Sequence, residues 1–148
     1  MVNPDAIEAK YIKKSVGKLK KVLWDDFTLW VKLSRSPDGI YVPCYTCDAP
    51  LEIGTSNCQG GHWIAKSVDS FHYFDERMVR PQCYRCNIHL SGNSEEFRLR
   101  LIDELGQDVV DEMSNERKSV AKRNRGWYVD KIIHYRVLLE EMDSVSLT

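Results

Sequence analysis

The chain has 148 residues, 43% hydrophobic and 29% charged, with a formal net charge of −1. That length fits one domain burying roughly two-thirds of its unfolded surface, and no apolar run reaches the about 20 residues of a membrane-spanning helix, so a soluble protein is expected. The charged N-terminus lacks a secretory apolar core, so a reducing interior and free thiols are expected for the five cysteines.

The near-neutral total conceals segregation. Residues 10 to 35 hold eight Lys or Arg against Asp25 and Asp26. Arg117, Lys118, Lys122, Arg123 and Arg125 form a run without an acid, and residues 101 to 116 carry six acids and no base. Such patterning presents basic faces to phosphate at little net charge.

Asn3-Pro4-Asp5 is helix-start chemistry: an asparagine cap, a proline at the first helical position and an acid in the first turn. It predicts a helix running to about Ser15. From Val16, apolar residues fall at Val16, Leu19, Leu23, Phe27, Trp30 and Val31, the spacing of a second helix with one buried face. Ser34-Arg35-Ser36-Pro37-Asp38-Gly39 is turn chemistry and stops it. Lys13, Lys14, Lys18, Lys20, Lys21 and Arg35 in this region are either a solvated face or a phosphate-contacting one.

Residues 40 to 80 read as short strands and loops. Ile40 to Pro43 leads into Cys44-Tyr45-Thr46-Cys47, Leu51 to Ile53 alternates, Thr55 to Gly61 is a polar loop, and His62-Trp63-Ile64 reads as a strand. The aromatic cluster Phe71 to Phe74 is expected to pack under the paired cysteines. Met78 to Pro81 leads into Cys83-Tyr84-Arg85-Cys86. After Asn93 a helix carries Phe97, Leu101, Ile102 and Leu105 on one face and ends at Gly106. A short acidic helix follows over Asp108 to Met113, and Ser114 to Arg125 is the linker candidate. Tyr128, Ile132, Tyr135, Leu139 and Met142 recur at fours and threes, a helical seam that either packs on the domain or joins two copies as a homodimer.

Two CxxC pairs separated by 35 residues have the spacing of a tetrahedral site with four thiolate ligands, Cys44, Cys47, Cys83 and Cys86, for which structural Zn2+ is the expected ion. Cys58 lacks such a partner and is read as a small buried or loop residue. Between the pairs stands His62, placed like a catalytic group, because a neutral imidazole near pH 7 suits a general base. His72 and His134 have no motif around them.

A histidine followed by an aromatic residue between two zinc knuckles resembles the HNH, or ββα-metal, nuclease plan. Gly61-His62-Trp63 and the stretch from Arg80 to Asn93, RPQCYRCNIHLSGN, are similar to the phage NinG/Rap family of recombination endonucleases, over roughly residues 20 to 113. The specific part is CN-x-HLSGN. The resemblance implies an endonuclease hydrolysing phosphodiester bonds in branched DNA, such as Holliday junctions and D-loops, in the cytoplasm of an infected bacterium. It makes His62 the general base, Asn87 a ligand or orienter of catalytic Mg2+ or Mn2+, and His89 a second candidate near that ion; Asn87 as a helix cap is the competing role. Two positions depart from the general nuclease pattern. Gly61 stands where an acidic or histidine ligand often precedes the base, and Met78 stands where an asparagine is common, which leaves Asp75 and Glu76 as candidate oxygen donors. Arg80, Arg85, Lys122, Arg123 and Arg125 join the candidate DNA-binding set. Met78 favours the alternative, a non-catalytic zinc DNA-binding accessory protein of recombination.

The expected architecture is α+β: a treble-clef, HNH-like zinc core over 37–113, a basic helical region over 1–36 before it, and a basic linker with a C-terminal helix over 114–148.

Overall fold

The computed structural model describes residues 1–117 and 119–146, the last three by backbone alone. Lys118, one of the bases of the expected basic run, lies outside the described residues. Helices α1 (Pro4–Tyr11) and α2 (Val16–Ser34) precede strands β1 (Tyr41–Pro43), β2 (Pro50–Glu52), β3 (Gln59–His62) and β4 (Val79–Gln82). A π-helical turn (Arg85–His89) and helices α3 (Ser94–Leu105), α4 (Gln107–Glu116) and α5 (Arg125–Ser146) follow. The fold therefore mixes helices with two antiparallel sheets of two strands each. Two units emerge, a helical one of Met1–Trp30 with the chain from Lys122 onward, and a knuckle unit of Val31–Ala121.

In the helical unit, Asn3 accepts the Ala6 N–H at 3.2 Å and caps α1. This helix stops at Tyr11 rather than near Ser15, because Ser15 serves the next one: its Oγ accepts the Lys18 N–H at 3.3 Å. A capping residue needs non-helical backbone, so the two helices cannot run together. Leu19, Leu23 and Phe27 are fully buried at helical spacing, whereas Val16, in the first turn of α2, is exposed. Tyr135 of α5 meets the Phe27 ring with centroids 5.2 Å apart and the Trp30 ring at 5.7 Å. Arg136 reaches Asp26 at 3.0 Å and the Tyr11 hydroxyl at 3.1 Å, joining all three helices. Tyr128, Ile132 and Tyr135 are buried in the folded chain. Three of the five seam residues thus pack within the chain, and Leu139 and Met142 are half-buried.

In the knuckle unit, β1 pairs with β2 so that Val42 faces Leu51, and both point inward between exposed neighbours. They build a small core with Cys44, Cys58, Cys83 and Cys86, flanked by Ala49 and Ile53. Strand β3 pairs with β4 in the register Gln59↔Gln82, Gly60↔Pro81, Gly61↔Arg80 and His62↔Val79. The strand thus lies earlier than expected and ends at His62, because the glycines read as loop accept the close approach of β4. The Phe71–Phe74 cluster also differs: it lies beside His62, whose ring stands 5.2 Å from that of Tyr73, and not in the core around the cysteines. Helix α4 continues to Glu116 and takes the start of the expected linker.

Candidate metal centre and active site

The first knuckle turns out of β1 and the second opens the π-helical turn after β4. The donor sulfurs of Cys44, Cys47, Cys83 and Cys86 all lie within 4.8 Å of one another, and Cys47 Sγ is 3.8 Å from Cys83 Sγ. A tetrahedral zinc with Zn–S bonds of about 2.3 Å needs sulfur–sulfur edges of about 3.8 Å, so the cage has the right size. Backbone N–H groups already point at the sulfurs, from Cys83 to Cys44 Sγ at 3.3 Å and from Cys86 to Cys83 Sγ at 3.4 Å. Asn93 Nδ2 donates to Cys86 Sγ at 3.7 Å. Burial opposes ionisation of Cys44, but the amides of Cys83 and Thr46 and the Thr46 hydroxyl outweigh it and hold this thiol down to about 7. Withdrawal from solvent and the nearby Cys44 sulfur push Cys47 up. One thiolate among four crowded sulfurs is the electrostatic situation that a divalent cation relieves. Cys58 is buried beside the cage, and its thiol is pushed up by that burial.

The Ser-Gly-Asn end of the motif has a structural task that its sequence does not announce. Ser91, Gly92 and Asn93 all have positive φ, at 50°, 91° and 47°. This left-handed run reverses the chain between the π-helical turn and α3 and brings the Asn93 amide to the cage.

His62 ends β3. Its Nε2 lies 2.9 Å from the Tyr73 carbonyl oxygen, which only accepts, so Nε2 carries the proton and donates. Burial lowers the imidazole below its ordinary pKa, partly opposed by that hydrogen bond. The neutral ring therefore carries its lone pair on Nδ1. Behind His62 the two departures from the nuclease pattern have structural reasons. Met78 is fully buried, and its sulfur accepts the Ile64 N–H at 3.3 Å. Gly61 lies under the buried Gln82 side chain.

The other expected site residues have these surroundings. Asn87 sits inside the π-helical turn rather than at its cap, and its Nδ2 donates to Gln59 Oε1 at 2.9 Å. His89 is exposed, edge-on to Tyr84 with centroids 5.0 Å apart. Asp75 is held by Arg77 through Nε at 3.1 Å and a terminal nitrogen at 2.8 Å. Among the described residues, the four cysteines are the one set of three or more His, Cys, Asp or Glu side chains whose donor atoms come together for a metal ion.

The candidate DNA-contacting residues divide. Lys13, Lys14, Lys18, Lys20, Lys21, Arg85, Lys122 and Arg125 are exposed. Arg123 lies over the Trp127 ring, 5.0 Å from its centroid. Two are engaged by one carboxylate. Arg80 is only 3% exposed, donates to the Glu76 and Val79 carbonyls, and pairs with Glu104 at 2.6 Å. Arg35 forks onto both oxygens of the same Glu104, at 2.8 and 3.0 Å. The buried Arg80 guanidinium serves the fold, while Arg35 keeps part of its side chain in solvent.

Fold and site together define a mixed helix-and-sheet protein whose four cysteines are arranged to hold a metal ion, with a histidine at the end of a hairpin strand. Residues 7–144 match the family model described as Bacteriophage Lambda NinG protein, and the chain belongs to that family. It is 28% identical over 105 residues to protein ninG of Escherichia phage 933W, covering 66% of this chain and 51% of that protein. It is 27% identical over 108 residues to protein ninG of Salmonella phage P22, covering 68% and 52%. For protein ninG of Escherichia phage lambda the figures are 27% over 105 residues, covering 66% and 50%. The chain spans about half the length of the curated relatives it matches. No solved structure gives a significant match. No helix among the described residues is long and apolar enough to cross a membrane.

Proposed function

We propose that the chain is a zinc-stabilised endonuclease, built on a treble-clef, HNH-like hairpin and helix, that hydrolyses phosphodiester bonds in branched recombination intermediates. The observation that carries this reading is His62, a desolvated neutral imidazole at the end of a hairpin strand with Nε2–H committed to the Tyr73 carbonyl. Such a ring is poised to take a proton through Nδ1 from the water that attacks phosphorus.

A hard divalent cation, Mg2+ or Mn2+, would stabilise the leaving oxygen in such a reaction. Two positions of the general pattern cannot donate to one: Gly61 offers no side chain, and the Met78 thioether is buried and engaged. Asn87 Oδ1 and the exposed His89 imidazole are the donor atoms left from the expected set.

Charge supports a nucleic-acid substrate. The helical unit holds eleven Lys or Arg against eight acids, whereas the knuckle unit holds fourteen acids against ten bases. In this reading the exposed lysines around the turn from α1 to α2 grip phosphate, with Lys122, Arg123 and Arg125 beside α5 adding to them. The lack of a donor at Gly61 and Met78 favours a second reading, an accessory protein that binds branched DNA without cutting it.

The deciding experiment is cleavage of a labelled four-way junction beside linear duplex of matching sequence, in Mg2+ and in Mn2+, by wild type and His62→Ala. Junction cutting that disappears in the variant while zinc and binding persist supports the nuclease. Binding without cutting by wild type supports the accessory protein.

A further inference from the structure

The segment between β3 and β4 holds a second histidine that the proposed mechanism leaves unused. His72 is 0% exposed, with Nδ1 2.5 Å from Asp69 Oδ2 and Nε2 2.9 Å from Glu116 Oε2. Each ring nitrogen thus faces a carboxylate oxygen. Glu116 stands at the end of α4, 44 residues further along the chain. We propose that His72, clamped between Asp69 and Glu116, is a positioning residue for His62: it fixes the Tyr73 carbonyl that dictates which nitrogen of His62 carries the proton. The catalytic part of this inference rests on the nuclease reading above; the tautomer part does not.

The backbone supplies the connection. The His72 N–H donates to the other Asp69 oxygen at 3.1 Å, and the His72 carbonyl accepts the Asp75 N–H at 3.1 Å. Between those anchors the Tyr73 N–H donates to the Ser70 carbonyl at 3.3 Å. The chain is thus pinned immediately before and two residues after the carbonyl that faces His62. The turn has no regular ladder to hold it, so the side-chain clamp is what docks it on α4. Glu116 is held in turn by Arg77 at 3.6 Å, and Arg77 by Asp75, so the far end of the same turn bears on the same carboxylate.

The orientation matters because the two tautomers of His62 are not equivalent. With Nε2–H donated to Tyr73, the lone pair is on Nδ1; if the carbonyl swings away, the proton redistributes between the nitrogens and part of the population has no basic Nδ1. Partners that orient a metal-bound histidine through its second nitrogen matter by about 10- to 100-fold, and the same scale is expected where the orientation sets the tautomer of a base.

The test is long-range nitrogen-15 NMR of the zinc-loaded full chain, which reads the tautomer of His62 directly, with junction cleavage measured in parallel. Wild type is expected as the Nε2–H form. Glu116→Ala is expected to lower that preference by about tenfold or more and to lower kcat by a similar factor with KM unchanged. Glu116→Gln, which keeps an acceptor oxygen, is expected to restore both. If Glu116→Ala does not fold, Glu116→Asp, one methylene shorter, is expected to move the tautomer the same way. A His62 that stays Nε2–H in a folded, zinc-replete Glu116→Ala or Glu116→Asp chain overturns the proposal. A wild type that never cleaves overturns the nuclease reading alone, because the tautomer measurement still decides whether the clamp acts on His62.

Discussion

A β-carbon on Gly61 would fall 1.8 Å from Oε1 of Gln82. Gln82 is fully buried and donates through Nε2 to the Thr46 hydroxyl at 3.0 Å and to the Gly92 carbonyl at 2.9 Å. The glycine preceding His62 is therefore the space in which one glutamine ties β4 to the first knuckle and to the turn before α3. A side-chain metal ligand at that position is sterically impossible while Gln82 stays in place.

Gly61→Ala is expected to cost about 1–3 kcal/mol through overpacking. Gln82→Ala clears the collision, so the double variant should be more stable than the sum of the two single losses predicts. Urea unfolding of wild type, both single variants and the double variant measures the coupling. Simple additivity would show that the glutamine does not occupy the alanine's space.

Stripping zinc is expected to abolish cooperative unfolding of the knuckle unit, because its core of Val42, Leu51 and Cys58 is assembled around the cysteines themselves. Ligand thiols must shed protons to bind, so zinc affinity should rise with pH. Near-ultraviolet circular dichroism during chelation, with released zinc quantified, follows both. A full cooperative transition after verified zinc loss would refute this account, and Cys83→Ser should behave like the stripped protein.

Arg80 and Arg35 make Glu104 a stability centre. Burial raises the carboxyl's pKa, but the two guanidiniums outweigh it and hold Glu104 below the usual range. With the folded pKa depressed, the stabilisation is complete above the unfolded value of about 4.3 and is lost as pH falls through the lower folded value. Glu104→Gln strands a guanidinium that is almost wholly buried, at a cost of about 3 kcal/mol, the low end for a broken buried pair because Glu104 keeps some solvent. Denaturation at pH 7 should show the full difference, and the gap should close as pH falls through the depressed folded value of Glu104. A constant gap across that range would assign the loss to packing instead of charge.

The cysteine cage was legible in the sequence because CxxC spacing alone dictates it, and α2 because Leu19, Leu23, Phe27 and Val31 repeat at one period. The limits of β3 were not legible, since glycines read as loop unless a distant residue such as Gln82 is known to lie over them. Surface and interior uses of arginine also looked alike: nothing local to Arg80 announces a partner 24 residues away. His72 carried no motif in the sequence, because the carboxylates that hold it are Asp69, three residues earlier in a loop, and Glu116, from another helix. Local chemistry was readable, and long-range pairing was not.

If the helical unit holds the substrate, its lysines will show in the salt dependence. Replacing Lys13, Lys14 and Lys18 by glutamine should flatten the plot of log affinity against log salt by about 0.9 for each phosphate no longer neutralised, while affinity falls for all DNA shapes alike. Arg35→Gln should leave the slope unchanged, since that guanidinium is spent on Glu104. Titration of a fluorescent junction across salt concentrations separates the two. An unaltered slope in the triple variant would move the phosphate-binding face elsewhere on the chain.

The pH response of His62 follows from its surroundings. Burial lowers its pKa more than the Tyr73 hydrogen bond raises it, so the ring stays neutral below the unperturbed value of about 6.5. The acid limb of cleavage against pH should therefore fall below that value, where a solvated histidine would already be half protonated. Stability carries the same sign: with the folded pKa depressed, the contribution of His62 is complete above about 6.5 and is lost as pH falls through the folded value. His62→Ala should lower cleavage by about 10²- to 10⁴-fold and remove the limb from whatever activity remains. An acid limb that persists unchanged in His62→Ala would place the essential base on another residue, and the neutral imidazole beside Tyr73 would then be part of the hairpin's structure.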